Sequence, residues 1–154
     1  MDLFVRIKEE HRILLNTLTD LIGSDPATRR ERMDDLAVRI LMHMNAEEQS
    51  VYRAFEELDA VPRSLAIRHE EEHHVARMMM AELQDKGIEE EYWEAKLQVF
   101  RYILEHHKES EEKTMLNMAL DYFDQEEIDT MTKQFEQVEA GLFKESRITS
   151  MKRA

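Results

Sequence analysis

The chain has 154 residues, 36% of them charged and 42% hydrophobic, with 3 Gly, 2 Pro, no Cys and a formal net charge of −13. That length suffices for one domain with a sizeable core. The lack of Cys removes disulfides, zinc fingers, iron–sulfur ligation and thiol catalysis together, and the acidic balance argues against a nucleic-acid binder.

Scarce Gly and Pro beside abundant Glu, Arg, Leu, Met and Ala predict long helices. The first runs over 3–22, and its inward stripe is Phe4, Ile7, His11, Leu14, Leu18 and Leu21, stepping by three and four. Gly23-Ser24-Asp25-Pro26 breaks the chain, with Asp25 as N-cap and Pro26 as first helical residue. The second helix, 26–58, turns Met33, Leu36, Ile40, His43, Glu47 and Val51 inward. Asp59-Ala60-Val61-Pro62 ends it. The third, 62–86, presents Ala66, His69, His73, Ala76, Met80 and Leu83, and Gly87 reads as its C-terminal glycine. The fourth, 89–120, opens on Glu89-Glu90-Glu91, which suits the helix dipole, and turns Trp93, Leu97, Phe100, Leu104, His107, Glu111 and Met115 inward. After a softer break at Asp121 to Asp124, a shorter helix over 124–139 is amphipathic through Ile128, Met131, Phe135 and Val138 and is expected to pack outside the others.

The expected fold is therefore all-α: an up-down-up-down antiparallel four-helix bundle with a shorter fifth C-terminal helix, one domain over 1–140. Residues 141–154 read as a polar, frayed tail. No run of about 18 apolar residues offers a membrane span. The N-terminus MDLFVRIKEEH has no basic stretch followed by an apolar one, so no signal peptide is expected and a cytoplasmic location is the default.

Every inward stripe is apolar at both ends and polar in the middle, and the intruding residues are only His and Glu. The chain also repeats itself. HMNAEE (43–48) and HKESEE (107–112) share H-x-x-x-E-E at an offset of 64, and Glu9-Glu10-His11 and Glu71-Glu72-His73 share E-E-H at an offset of 62. The two helical hairpins read as copies about a pseudo-two-fold axis. His11 and His43 lie at similar distances from their shared turn, as do His73 and His107, so all four belong at one height in the bundle.

An ionised carboxylate buried without compensation costs several kcal/mol. Two metal cations at the centre supply that compensation. Residues four apart stack on one helix face, so H-x-x-x-E delivers a nitrogen and an oxygen to the same place. Imidazole and carboxylate without thiolate suit iron, manganese or zinc, and a His-rich site with two bridging carboxylates points to paired iron.

These residues resemble the hemerythrin-like, HHE cation-binding family, over essentially the whole chain. Its pattern is a His on helix one, H-x-x-x-E on helix two, a His on helix three and H-x-x-x-E on helix four. It falls on His11, His43 with Glu47, His73, and His107 with Glu111. The resemblance implies two iron ions bridged by Glu47 and Glu111 and by an oxo or hydroxo group, with the histidines as terminal ligands and a small diatomic or a peroxide as partner: oxygen, nitric oxide or hydrogen peroxide. Manganese or zinc in place of iron stays open. Helix three also carries His69 in an H-x-x-x-H pair with His73. Oxygen-carrying hemerythrins have such a pair, and His69 is counted among the ligands on that ground. Those carriers, however, place H-x-x-x-x-D on helix four. The H-x-x-x-E found here is similar to di-iron proteins that repair damaged iron centres and to iron-sensing members.

Other features have plainer explanations. Glu48 and Glu112 are expected on a solvated face, with orientation of an imidazole as the alternative. His74 and His106 read as outer-shell or surface residues. The methionines around the site read as core filler, with a gas-access path as a softer idea, and the tyrosines Tyr52, Tyr92, Tyr102 and Tyr122 fall off the stripes. An iron sensor or iron-homeostasis module is the alternative function, with the fifth helix as its only candidate switch. Ferritin-like oxidation needs E-x-x-H on two helices, and only Glu70 to His73 provides it.

Overall fold

A computed structural model describes the backbone of residues 2–153 and the side chains of residues 2–141. The elements are α1 (Leu3–Ile22), α2 (Pro26–Glu47), a π-helical turn (Glu48–Tyr52), α3 (Arg53–Glu56), α4 (Val61–Leu83), α5 (Glu90–Ser110), a second π-helical turn (Glu111–Met115), α6 (Leu116–Tyr122) and α7 (Gln125–Arg153). Each π turn continues the helices on either side, so α2 with α3 and α5 with α6 form two long rods. There is no strand among the described residues, and no described helix is long and apolar enough to cross a membrane.

The helix ends follow from local chemistry. The Asp2 carboxylate accepts from the Phe4 and Val5 amides at 2.9 and 3.3 Å. Asp25 accepts from the Ala27 amide at 3.0 Å, with Pro26 in the first helical position. A capping box starts α7: the Glu127 amide donates to Asp124 Oδ1 and the Asp124 amide to Glu127 Oε2, each at 2.9 Å. Gly87 does not cap a helix. It has no positive φ, its amide donates to Asp85 Oδ1 at 2.9 Å, and α4 stops at Leu83 rather than 86. The Leu83 carbonyl, left without an intrahelical donor, accepts instead from the Trp93 indole at 2.7 Å.

Short connections return the chain on itself. α1 packs on α2 and α5, and α4 packs on α2, α3 and α5, closing a four-rod ring. Arg29 near the start of α2 bonds Glu90 at the start of α5 at 2.9 Å, so those two helices begin at the same end. The inward stripes are buried throughout, with Leu104 alone half-buried. They form two apolar clusters. One gathers Leu3, Ile7, Tyr52, Phe55, Met115 and Phe135; the other gathers Leu18, Met33, Ile40, Met80, Trp93 and Phe100. Buried His and Glu residues divide them.

α7 lies outside the ring against α1, α2 and the first π turn. It buries Ile128, Met131 and Phe135, and burial of one such side chain stabilises by about 1.5–3 kcal/mol. Arg6 of α1 reaches across to Glu136 and Glu139 at 3.2 and 2.9 Å. The helix continues to Arg153, through the stretch expected as a tail; the side chains of residues 142–154 lie outside the described residues.

Candidate metal centre

The H-x-x-x-E segments behave as helical spacing requires. His43 Nε2 lies 2.8 Å from Glu47 Oε1, and His107 Nε2 lies 3.2 Å from Glu111 Oε2. The helix widens directly after Glu47 and from Glu111 itself. The Arg53 amide reaches back five residues to the Glu48 carbonyl, and the Leu116 amide reaches back five to Glu111. The two π turns stand 63 residues apart, one fewer than the motifs themselves, and such turns recur at functional sites.

Two histidine pairs face each other across the two carboxylates. His11 and His43 have ring centroids 4.8 Å apart, and His73 and His107 4.6 Å apart. Glu47 divides its oxygens between the pairs. Oε1 lies 3.2 Å from His11 Nε2 and 2.8 Å from His43 Nε2, while Oε2 lies 3.3 Å from His73 Nε2. Glu111 does the same, with Oε1 3.5 Å from His11 Nε2 and Oε2 3.2 Å from His107 Nε2. All six side chains are at most 6% exposed. Three groups of donors could each hold an ion: His11, His43 and Glu47; Glu47, His73, His107 and Glu111; and, to one side of these, His69, Glu72 and His107.

A second ring of carboxylates holds the outer nitrogens. Nδ1 of His43 meets Glu10 at 2.8 Å, and Nδ1 of His107 meets Glu72 at 2.7 Å. Nδ1 of His11 meets Glu112 at 3.0 Å, and Nδ1 of His73 meets Glu48 at 3.2 Å. An ionised carboxylate only accepts, so each Nδ1 carries the proton and each neutral ring keeps its Nε2 lone pair for the centre. Glu48 and Glu112 are thus not on a solvated face, as expected above; each crosses to the facing hairpin. Arg77 clamps Glu48 through 2.8 and 2.7 Å bonds. The signal was present in the sequence: the second glutamate of H-x-x-x-E-E and the glutamate before His in E-E-H are the four outer carboxylates.

His69 is fully buried but stands apart from this arrangement. Its Nδ1 lies 3.3 Å from His107 Nδ1 and 3.7 Å from Glu72, and its Nε2 has no partner. His74 and His106 are exposed. Tyr92, Tyr102 and Tyr122 are exposed as well. Tyr52 is not, and the expectation that it lies off the inward face is wrong. Its hydroxyl touches His73 Nε2 at 3.2 Å, His107 Nε2 at 3.3 Å and Glu47 Oε2 at 3.5 Å, and it donates a short hydrogen bond to Glu111 Oε2. The π turn is the cause. Steps of three and four from Glu47 select Val51, but the widened turn brings the residue five on to the same side.

The electrostatics describe a site prepared for positive charge. Burial opposes the His107 imidazolium, yet hydrogen bonds to Glu111 and Glu72 outweigh it and push the group up to about 10. Burial likewise opposes the cations of His11 and His43, but Glu112 and Glu47 raise the first and Glu47 and Glu10 the second. Burial works against the charged Glu47, but His43 and His11 hold it well below the usual carboxylate range. Burial, then Glu111 and Glu47, raise the Tyr52 phenol well above its ordinary value; cations that neutralise the glutamates remove part of that cause. Burial and the neighbouring His107 bring His69 down to about 4, so it is neutral.

Buried atoms without partners test whether a metal pair fits. His43 Nε2 is near Glu47 but out of hydrogen-bonding alignment, and Glu111 Oε1 has no bond at all. Such orphans are costly in a dry interior, and both belong to residues of the donor groups able to hold an ion. The donor set therefore fits. Beside it lies a largely apolar cavity of about 40 Å³ lined by Leu14, Leu15, Ile40, Met44 and Leu104 together with Lys108, His11, His43, His73 and His107. About 10–15 Å³ accommodates a water molecule, so a diatomic fits.

A profile described as the hemerythrin HHE cation binding domain matches residues 2–119. The chain belongs to the hemerythrin HHE family. That stretch spans the four rods of the ring and every donor described above. Comparison with curated proteins and with solved structures returned no significant match. Membership makes this a cation-binding helical bundle, and the His and Glu cluster between the two apolar layers is its candidate metal site.

Proposed function

We propose that this HHE protein is a non-haem di-iron protein that binds or reacts with a small diatomic or a peroxide. One observation carries the reading: two histidine pairs are spanned by two glutamates, each offering one oxygen to either pair. His11 and His43 would hold one iron, His73 and His107 the other. Glu47 and Glu111 would bridge them, with an oxo or hydroxo group between and His69 as the remaining candidate nitrogen. Bound iron supplies a redox-active pair that can exchange electrons with oxygen, nitric oxide or peroxide. The protein fixes the tautomers through Glu10, Glu48, Glu72 and Glu112, and keeps bulk water from the centre with the two apolar clusters. The apolar cavity beside the histidines favours a small uncharged ligand over an anion.

Loading the purified protein with ferrous iron and exposing it to air is expected to give two irons per chain and oxo-to-iron charge-transfer absorption. One zinc per chain, or iron without that absorption, would overturn the reading.

A sensing or iron-homeostasis role is the second reading, favoured by the contact of α7 with the centre. The Phe135 ring centroid lies 6.3 Å from that of His43, whose Nδ1 partner Glu10 lines one cleft with Glu139 of α7. In that case metal removal speeds amide hydrogen exchange in α7 around Phe135. Unchanged protection there rules the switch out.

A further inference from the structure

We infer that Tyr52 is itself a metal ligand, its phenolic oxygen filling one coordination position on the His73–His107 half of the centre and making the two metals unequal. This rests on the di-iron reading above and adds a donor to it. The hydroxyl is within 3.5 Å of four atoms, His73 Nε2, His107 Nε2, Glu47 Oε2 and Glu111 Oε2. Two side-chain nitrogens and two carboxylate oxygens converging on a single hydroxyl is more than a hydrogen-bonding group requires. A phenol has one proton to donate and two lone pairs. The same four residues make up one of the three donor groups able to hold an ion, so an ion placed among them also lies beside the Tyr52 oxygen.

The other half has no counterpart. The two hairpins repeat at 64 residues, which pairs Tyr52 with Leu116. Leu116 is buried just after its π turn, and Met115, which closes that turn as Tyr52 closes the first, is buried as well; neither carries an oxygen or nitrogen on its side chain. The apolar cavity borders all four histidines, but a wider cleft of about 160 Å³ between Glu10, Arg39, Met42 and Glu139 reaches His43 alone among them. One half carries an oxygen donor while the other is reached by this cleft, so an exogenous ligand binds on the His11–His43 side. Tyr52 also takes the donor position for which His69 is the alternative; His69 faces the outer, Nδ1 side of His107. On ligation the oxygen–metal bond replaces the O–H bond, and the phenolic proton leaves with the water or hydroxide that the oxygen displaces.

The test is resonance Raman and visible absorption of the ferric, iron-loaded full chain. Wild type is expected to show tyrosinate-to-iron charge transfer and phenolate ring modes that shift when the protein is grown on ring-deuterated tyrosine. Tyr52→Phe, which keeps the buried ring, is expected to lose those bands; Tyr102→Phe, at a 71% exposed position, is expected to keep them. Two irons per chain with oxo-to-iron absorption but no phenolate modes in wild type would overturn the inference and leave the di-iron reading standing. Phenolate modes that survive in Tyr52→Phe would overturn it equally. A chain that takes up no iron overturns both.

Discussion

Glu47→Ala is expected to remove both irons, not one. Glu47 offers Oε1 to His11 and His43 and Oε2 to His73, so its loss takes a donor from each half at once. His11→Ala removes a donor from one half only and is expected to leave that half weakly loaded and the other closer to full. Glu48→Ala removes an outer carboxylate that holds His73 Nδ1 from 3.2 Å, and loss of such a partner typically weakens metal affinity roughly 10–100-fold. Its iron content should therefore fall between wild type and Glu47→Ala at limiting iron, and recover at excess. Metal analysis per chain after titration with ferrous iron separates the three. Equal losses from Glu47→Ala and Glu48→Ala would overturn the assignment of inner and outer glutamates. Stability without metal gives a second readout. Glu47 is the shared anion of a buried, partly protonated histidine cluster, and breaking such pairing costs about 3–5 kcal/mol. Glu47→Gln preserves the volume while removing the charge, which isolates that electrostatic part.

The sequence disclosed the inner donors because a helix repeats every 3.6 residues and each inward stripe stayed in register as far as its ligand. His11, His43, Glu47, His73, His107 and Glu111 all lie where stepping by three and four puts them, and all are buried. The register fails immediately afterwards. Ser50, Val51 and Tyr52 are consecutive and each at most 1% exposed, a wider arc than the stripe of about 100° that a bundle helix ordinarily buries. A single extra residue in the turn after Glu47 is invisible to periodicity, since the apolar residues beyond it restart a new stripe in phase. Adjacent buried residues just after a buried carboxylate are the trace such a turn leaves. The outer carboxylates were legible in another way. Glu48 and Glu112 look solvated on their own helices and become partners only when the facing hairpin arrives, yet the doubled EE in both copies marked them. Gly87 misled because glycine after an acidic, polar turn usually caps a helix; here Trp93 satisfies the carbonyl at Leu83 and the helix ends sooner.

The metal-free protein is expected to stay helical near neutral pH and to be less stable than the loaded one by an amount that grows with pH. The first part follows from pairing: in the absence of metal, protonated histidines neutralise Glu47 and Glu111, and the two apolar clusters and the capped helices do not depend on the ions. Loading lowers the native state by about 4 kcal/mol when free metal is a thousand times its Kd. For a chain of this size that corresponds to a rise in Tm of roughly 8–16 °C. The pH dependence has a definite sign. His107 is raised from 6.5 to about 10 in the metal-free fold. A cation whose folded value is raised contributes stability that is fully present below pH 6.5 and is lost as pH climbs through 10. His11 and His43 are raised in the same direction. In the loaded protein these rings are neutral ligands and contribute no such loss, and metal binding must displace their protons. The gap in Tm between loaded and metal-free protein should therefore widen steadily from slightly acid to alkaline pH, and proton release on loading should be largest at the acid end. Thermal melts of both forms at pH 6, 8 and 9.5, chosen within that window, measure it. A gap that stays constant or narrows as pH rises would mean that the histidines are not exchanging protons for metal, and that the buried carboxylates are held by something other than the ring nitrogens facing them.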